Sequence, residues 1–202
     1  GAKEAIESLT YLAKELGVKK MVLLSGKGEV EAEACEKIVM ESGMDYTIVR
    51  ASWFNQNWSE SFFLEPIMLG EVYLPMSDVL IPFVDADDIA EVAATVLLDN
   101  QYNSQIIEVT GSELITFKDA VNTIAKASNR TLNFTPITLE QYVAGMKQAQ
   151  VPDDVIWLME YLFSHVLTEP KNQQISNDIE RVLNRKAKSF SEFTQDVART
   201  GI

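Results

Sequence analysis

One cysteine, Cys35, and one histidine, His165, are all that 202 residues offer of either type. A lone cysteine excludes an internal disulfide framework and fits a reducing compartment, so the expected location is cytoplasmic. No His, Cys, Asp and Glu cluster has metal-ligand spacing, and no Gly-x-Ser-x-Gly elbow occurs. No apolar run approaches the roughly 20 residues that a membrane helix needs, and no charged-then-apolar leader opens the chain. Positive charge is scarce too: 17 Lys and Arg face 30 Asp and Glu, a net charge of -13. Phosphate surfaces need clustered cations, so neither nucleic acid nor a membrane is an expected partner. An anionic cofactor would have to be held locally, by helix amino termini and backbone N–H groups.

What is there is an α/β pattern. Residues 3–16 carry Ala5, Ile6, Leu9, Leu12, Ala13 and Leu16 on one helical face, stopped by Gly17. Met21-Val22-Leu23-Leu24 is a continuous apolar run, as in a strand covered on both faces, and Tyr46-Thr47-Ile48-Val49 is another. A helix over Glu29–Ser42 joins them, so Lys20–Ser25 and Asp45–Arg50 form a parallel βαβ unit. Yet the nine glycines never fall into Gly-x-Gly-x-x-Gly, and the phosphate loop of such a unit is missing. The second strand runs into Ala51-Ser52-Trp53-Phe54-Asn55-Gln56-Asn57, an aromatic and amide loop where a strand end should meet a ligand.

Further on, a short helix is expected near Ser59–Leu64, followed by Pro66 and a short strand over Glu71–Pro75. Asp85, Asp87 and Asp88 read as caps of a helix running to Leu98 rather than as metal ligands. Gln105–Thr110 reads as a third parallel strand. Capping boxes mark three later helices: Thr116 with Asp119, Thr138 with Gln141, and Ser189 with Glu192. Asn133–Ile137 reads as a small strand, and Asp153–Ser164 and Ser176–Leu183 as helices. The expected division is a sheet unit over 1–111, with 51–80 contributing to a cleft, and a mostly helical lobe over 112–202.

Five stretches together carry a resemblance: Gly17–Ser25; Glu36 ten residues before Tyr46–Arg50; Trp53–Asn57; Pro82–Ala90; and Asp178–Arg185 followed by Ser189-Phe190 and Glu192-Phe193. In this order they resemble the NmrA-like group of atypical short-chain dehydrogenases, with azoreductase-like and quinone-reductase-like members. The resemblance implies the C-terminal part of a Rossmann-type parallel sheet with a smaller, mostly helical substrate lobe. It further implies that a first strand, a glycine-rich turn and three more strands, roughly eighty or more residues, belong before this stretch. Met21–Leu24 would then be an apolar strand edge, expected to pair with that missing segment or with another chain, and a homodimer is one form this could take.

By the same resemblance the cofactor is NAD(P), with NADP preferred, and tight binding by this chain alone is not expected. Ser25 and Gly26 would line its ribose–nicotinamide side, and Ala51, Ser52, Trp53 and Phe54 would flank the nicotinamide. Asn55, Asn57 and Trp58 are expected in the substrate cleft. Packing between sheet and lobe is an equal explanation of Trp53, Phe54 and Trp58. Glu36 is expected to make a structural hydrogen bond to a strand end or loop. His165 reads as a surface or packing residue.

The Tyr-x-x-x-Lys pair of catalytic short-chain dehydrogenases is absent. Tyr11, Tyr46, Tyr73, Tyr102, Tyr142 and Tyr161 are followed four residues on by Glu15, Arg50, Ser77, Ile106, Met146 and His165. No catalytic residue is assigned, and alcohol dehydrogenation loses its usual proton relay. Reduction of a small quinone- or azo-like acceptor remains open, since the nicotinamide carries the hydride. The alternatives are a non-catalytic, NAD(P)-responsive redox sensor and a cofactor-free fragment.

Overall fold

The computed structural model describes residues 1–200. Three strands, β1 (Lys20–Gly26), β2 (Asp45–Ala51) and β4 (Gln105–Val109), form a parallel sheet in the order β1-β2-β4. Two more, β3 (Glu71–Leu74) and β5 (Asn133–Pro136), pair in parallel as a separate ribbon. The continuous apolar run of β2 has the expected cause, whereas that of β1 is only partly covered, with Leu24 exposed at the sheet edge. Alternate side chains of a strand point to opposite faces, and both faces of β2 are covered. Helix α4 (Ala86–Leu98) packs Val92 and Val96 against Val49, Ile107 and Val109, while α2 (Val30–Met40) lies on the face that carries Ile48 and Arg50. The parallel βαβ unit is therefore present.

Helix α1 (Ala2–Glu15) forms where the periodicity predicts, but its apolar stripe is not covered: Leu9, Leu12 and Leu16 are exposed. It packs chiefly against α2. Periodicity tells which side of a helix is apolar and not what stands beside it.

The helix expected near Ser59–Leu64 is displaced. A 3-10 turn over Asn55–Trp58 precedes it, and α3 spans Leu64–Leu69, with Pro66 in its first turn. Proline lacks an N–H that a first turn does not use, so Pro66 is accommodated at the start of this helix. Asp85 caps α4 by accepting from the Asp87 N–H at 2.9 Å. Both reciprocal capping boxes expected at Thr116 and Thr138 are formed, opening α5 (Phe117–Ser128) and α6 (Leu139–Gln148). The Ser189–Glu192 box opens α9 (Phe190–Thr200) in the same way. Helix α7 (Asp153–Tyr161) runs on as a π-turn over Leu162–Val166, and α8 spans Asp178–Leu183.

Two cores result. An aromatic one joins Trp58, Phe63, Phe83, Phe117, Phe163 and Phe190 under the helices. An aliphatic one lies between the sheet, α4 and α8, where Ile179 and Val182 meet Val109 and Val84. The two are tied at Gly111, whose N–H donates to the Pro82 carbonyl at 3.1 Å. A Cβ at Gly111 would stand 1.9 Å from the Phe83 carbonyl oxygen, so the approach requires glycine. Among the described residues no helix is long and apolar enough to cross a membrane.

Candidate functional site

The carboxyl ends of β1 and β2 open into a cleft of about 300 Å³. Ligands of open parallel sheets bind at this end of the strands. Backbone bonds continue the sheet beyond its named strands and shape the rim: the Lys27 N–H donates to the Ala51 carbonyl, and the Ser52 N–H to that of Val109. Phe54 then forms a parallel bridge to Val84, which holds the loop after β2 in place.

Ser25, Gly26, Ala51, Ser52, Trp53, Phe54 and Asn57 share this cleft. Asn55 and Trp58 do not. The 3-10 turn sends them inward: Asn55 is fully buried with neither amide atom partnered by protein, and Trp58 stacks within the aromatic core, 4.6 Å from Phe63 between ring centroids. Trp53 does both jobs, since it lines the cleft and meets Phe163 at 5.7 Å and Phe63 at 6.0 Å.

Below the rim lies an ionic network. The Ser25 hydroxyl donates to Glu36 Oε1 at 2.6 Å, and Arg50 donates from Nε to the same oxygen at 2.9 Å while a second guanidinium nitrogen pairs with Oε2. Arg50 also faces Glu108 at 3.7 Å, and Glu108 accepts from Lys27 Nζ at 3.0 Å. Glu36 is 1% exposed; burial pushes its carboxyl up, but Arg50 and the Ser25 hydroxyl outweigh this and hold it below the usual value. Glu36 thus makes its structural bond to a strand end.

Lys27, Glu29, Phe62 and Leu162 also line the cleft, and none was expected from sequence. The position of Lys27 and Glu29 just beyond the end of β1 is a signal that could have found them. Leu162 offers none, because it arrives from the π-turn more than a hundred residues away. His165 is exposed, with its ring stacked on Tyr161. No group of His, Cys, Asp and Glu among the described residues could hold a metal ion.

A profile of the NmrA-like family matches residues 16–195. The chain belongs to the NmrA-like family. Two relatives align with most of this NmrA-like chain. It is 28% identical over 199 residues to the NAD(P)H azoreductase of Xenophilus azovorans, covering 93% of this chain and 68% of that protein. It is 25% identical over 185 residues to prestalk A differentiation protein A of Dictyostelium discoideum, covering 91% and 61%. An NADPH-dependent quinone oxidoreductase of Escherichia coli superposes with a TM-score of 0.81 at 19% identity, covering 95% of this chain and 72% of that one. These proportions mean that the NmrA-like chain spans about two thirds of the relatives it matches. The superposition shows a Rossmann-like fold.

Proposed function

We propose that this NmrA-like chain supplies the nicotinamide-side wall and substrate cleft of an NAD(P)H-dependent oxidoreductase acting on a small quinone- or azo-like acceptor. The observation that carries the reading is the cleft at the ends of β1 and β2, where Ser25, Gly26 and Ala51–Phe54 converge. Its volume suits one ring system with a few polar contacts. The residues present fit the nicotinamide end of the cofactor. Gly26 adds no side chain of its own at the β1 end, where only the Glu29 carboxyl folds over it, and Ser52 and Asn57 offer polar groups to a carboxamide or acceptor. They do not fit the pyrophosphate, since no glycine-rich turn opens a helix here.

When bound, reduced nicotinamide supplies the hydride, and this chain's residues orient the ring, exclude water with Trp53, Phe54 and Phe62, and receive the acceptor. NADPH preference belongs to the proposal and is supported by the Escherichia coli neighbour, which was also solved with NADPH. The reductase names of relatives weigh against the sensor alternative. We include in the proposal a cover for the β1 edge, a preceding segment or a second copy, because Leu24 is exposed there.

Two probes test this without the adenylate half: reduced nicotinamide mononucleotide and duroquinone. Each is expected to quench Trp53 emission saturably, and Gly26→Val, whose side chain would push the Glu29 carboxyl off the cleft floor, to weaken both about tenfold or more. Absence of a saturable signal from both probes overturns the reading.

A further inference from the structure

Hydride reduction leaves an anionic atom on the acceptor, and the usual tyrosine of the fold is missing, so the cleft needs a proton source. Two titratable side chains line it, Lys27 and Glu29. The Lys27 ammonium is engaged by Glu108 at 3.0 Å and by the Gln174 carbonyl at 3.5 Å. Glu29 is different. Its backbone is the N-cap of α2, yet its side chain makes no capping bond, and no hydrogen bond or ion pair holds it among the described residues. Instead it folds back over the end of β1. A Cβ on Gly26 would lie 2.0 Å from Glu29 Oε1, so the carboxyl occupies the space that glycine leaves open at the cleft floor.

We propose that Glu29 is the proton donor of this cleft: its carboxyl hydrogen-bonds, and then protonates, the acceptor atom that becomes anionic on hydride uptake. The inference rests on the reductase reading above. The atoms balance with NAD(P)H as the reductant. A quinone takes up hydride, two electrons with one proton, and becomes a hydroquinone anion. The Glu29 O–H bond breaks as the new O–H bond forms on that anion, and the carboxylate regains its proton from water. For an azo acceptor the hydride goes to one nitrogen and the Glu29 proton to the other, giving the hydrazo compound.

The surroundings favour the protonated carboxyl more than solvent does. Burial, with a smaller contribution from Glu31, raises Glu29 above the ordinary glutamate value. The other groups near it do not supply a compensating cation. Lys27 is spent on Glu108, Lys171 sits at 3.7 Å from Glu33, and the Tyr161 hydroxyl accepts from the Val30 N–H at 3.2 Å.

Duroquinone, which carries no thiol-reactive ring position, is the probe. The Trp53 quenching titration is repeated across the ionisation of Glu29, in the native chain, in Glu29→Gln and in Glu31→Gln. The expected result is an affinity about tenfold weaker once the carboxyl ionises, because a donor to the quinone oxygen is lost. Glu29→Gln, which keeps a donor and cannot ionise, should bind with no such pH step, whereas Glu31→Gln should retain it. A step that survives in Glu29→Gln, or a native chain with no step, overturns the assignment while leaving the cleft reading intact. No saturable quenching in any of the three removes the reading itself and the assignment with it. In infrared difference spectra, a protonated-carboxyl band lost in Glu29→Gln is expected to accompany quinone binding; the same band in Glu29→Gln contradicts the assignment.

Discussion

The two edges of the three-stranded sheet are finished by opposite means. Beyond β4, α8 closes the structure: Ile179 and Val182 are buried, and Asp178 accepts from the Glu108 N–H at 2.8 Å. The Ser176 N–H donates to the Thr110 hydroxyl at 2.9 Å, and Arg181 reaches Gln105 at 3.2 Å. Beyond β1 no described residue does this work. Leu24 is 51% exposed and Leu16 83%. The contrast teaches that the helical lobe is part of the sheet's own construction on one side only. The segment that brings α8 also brings Gln174 to Lys27, so closure of the β4 edge and furnishing of the cleft rim are one event.

The largest effect should separate the edges directly. Ile179→Ala removes a wholly buried side chain and is expected to cost about 2–5 kcal/mol in urea unfolding, whereas Leu16→Ala at the open side should change stability by less than about 0.5 kcal/mol. Equal losses would break the comparison. A middle effect is expected beneath the cleft. Glu36→Gln strips the charge that balances Arg50 and should cost about 2 kcal/mol near neutral pH. The sign with pH follows from the lowered folded-state value. Glu36 contributes its full stability above the ordinary glutamate value and loses it as pH falls through the depressed one. Thermal midpoints should therefore decline less steeply on acidification in Glu36→Gln than in the native chain. The smallest effect has the opposite sign. Glu29 is raised in the fold, so its ionisation costs stability as pH rises through the ordinary value towards the raised one. Glu29→Gln should unfold at a slightly higher temperature than the native chain at neutral pH, and an unchanged or lower midpoint would count against its burial.

Much of this was visible in the chain itself where the signal is local. The β1 and β2 runs, the cap at Asp85 and the boxes at Thr116, Thr138 and Ser189 each involve residues within one element or one turn, where spacing alone determines geometry. The loop Ala51–Trp58 shows where local signals stop. Trp53 and Trp58 stand in the same aromatic stretch, yet one meets the cleft and the other the core, because a turn of four residues reverses their facing. The helix expected near Ser59–Leu64 forms further on, with Pro66 in its first turn, a shift of about one turn that the local pattern does not fix. Leu162 at the cleft, and Arg185 on Asp88 at 2.7 Å, depend on contacts between residues far apart in the chain. No pattern confined to a window of residues carries them.

The glycine that ties the two cores has a consequence for descent. Where a backbone oxygen occupies the place of a methyl group, no replacement is conservative, however small. Position 111 has no gradual route away from glycine. Any lineage that changed it would first have to move the Pro82–Phe83 segment, and with it the bridge that holds Phe54. Drift in this protein should therefore collect around that knot and leave it untouched.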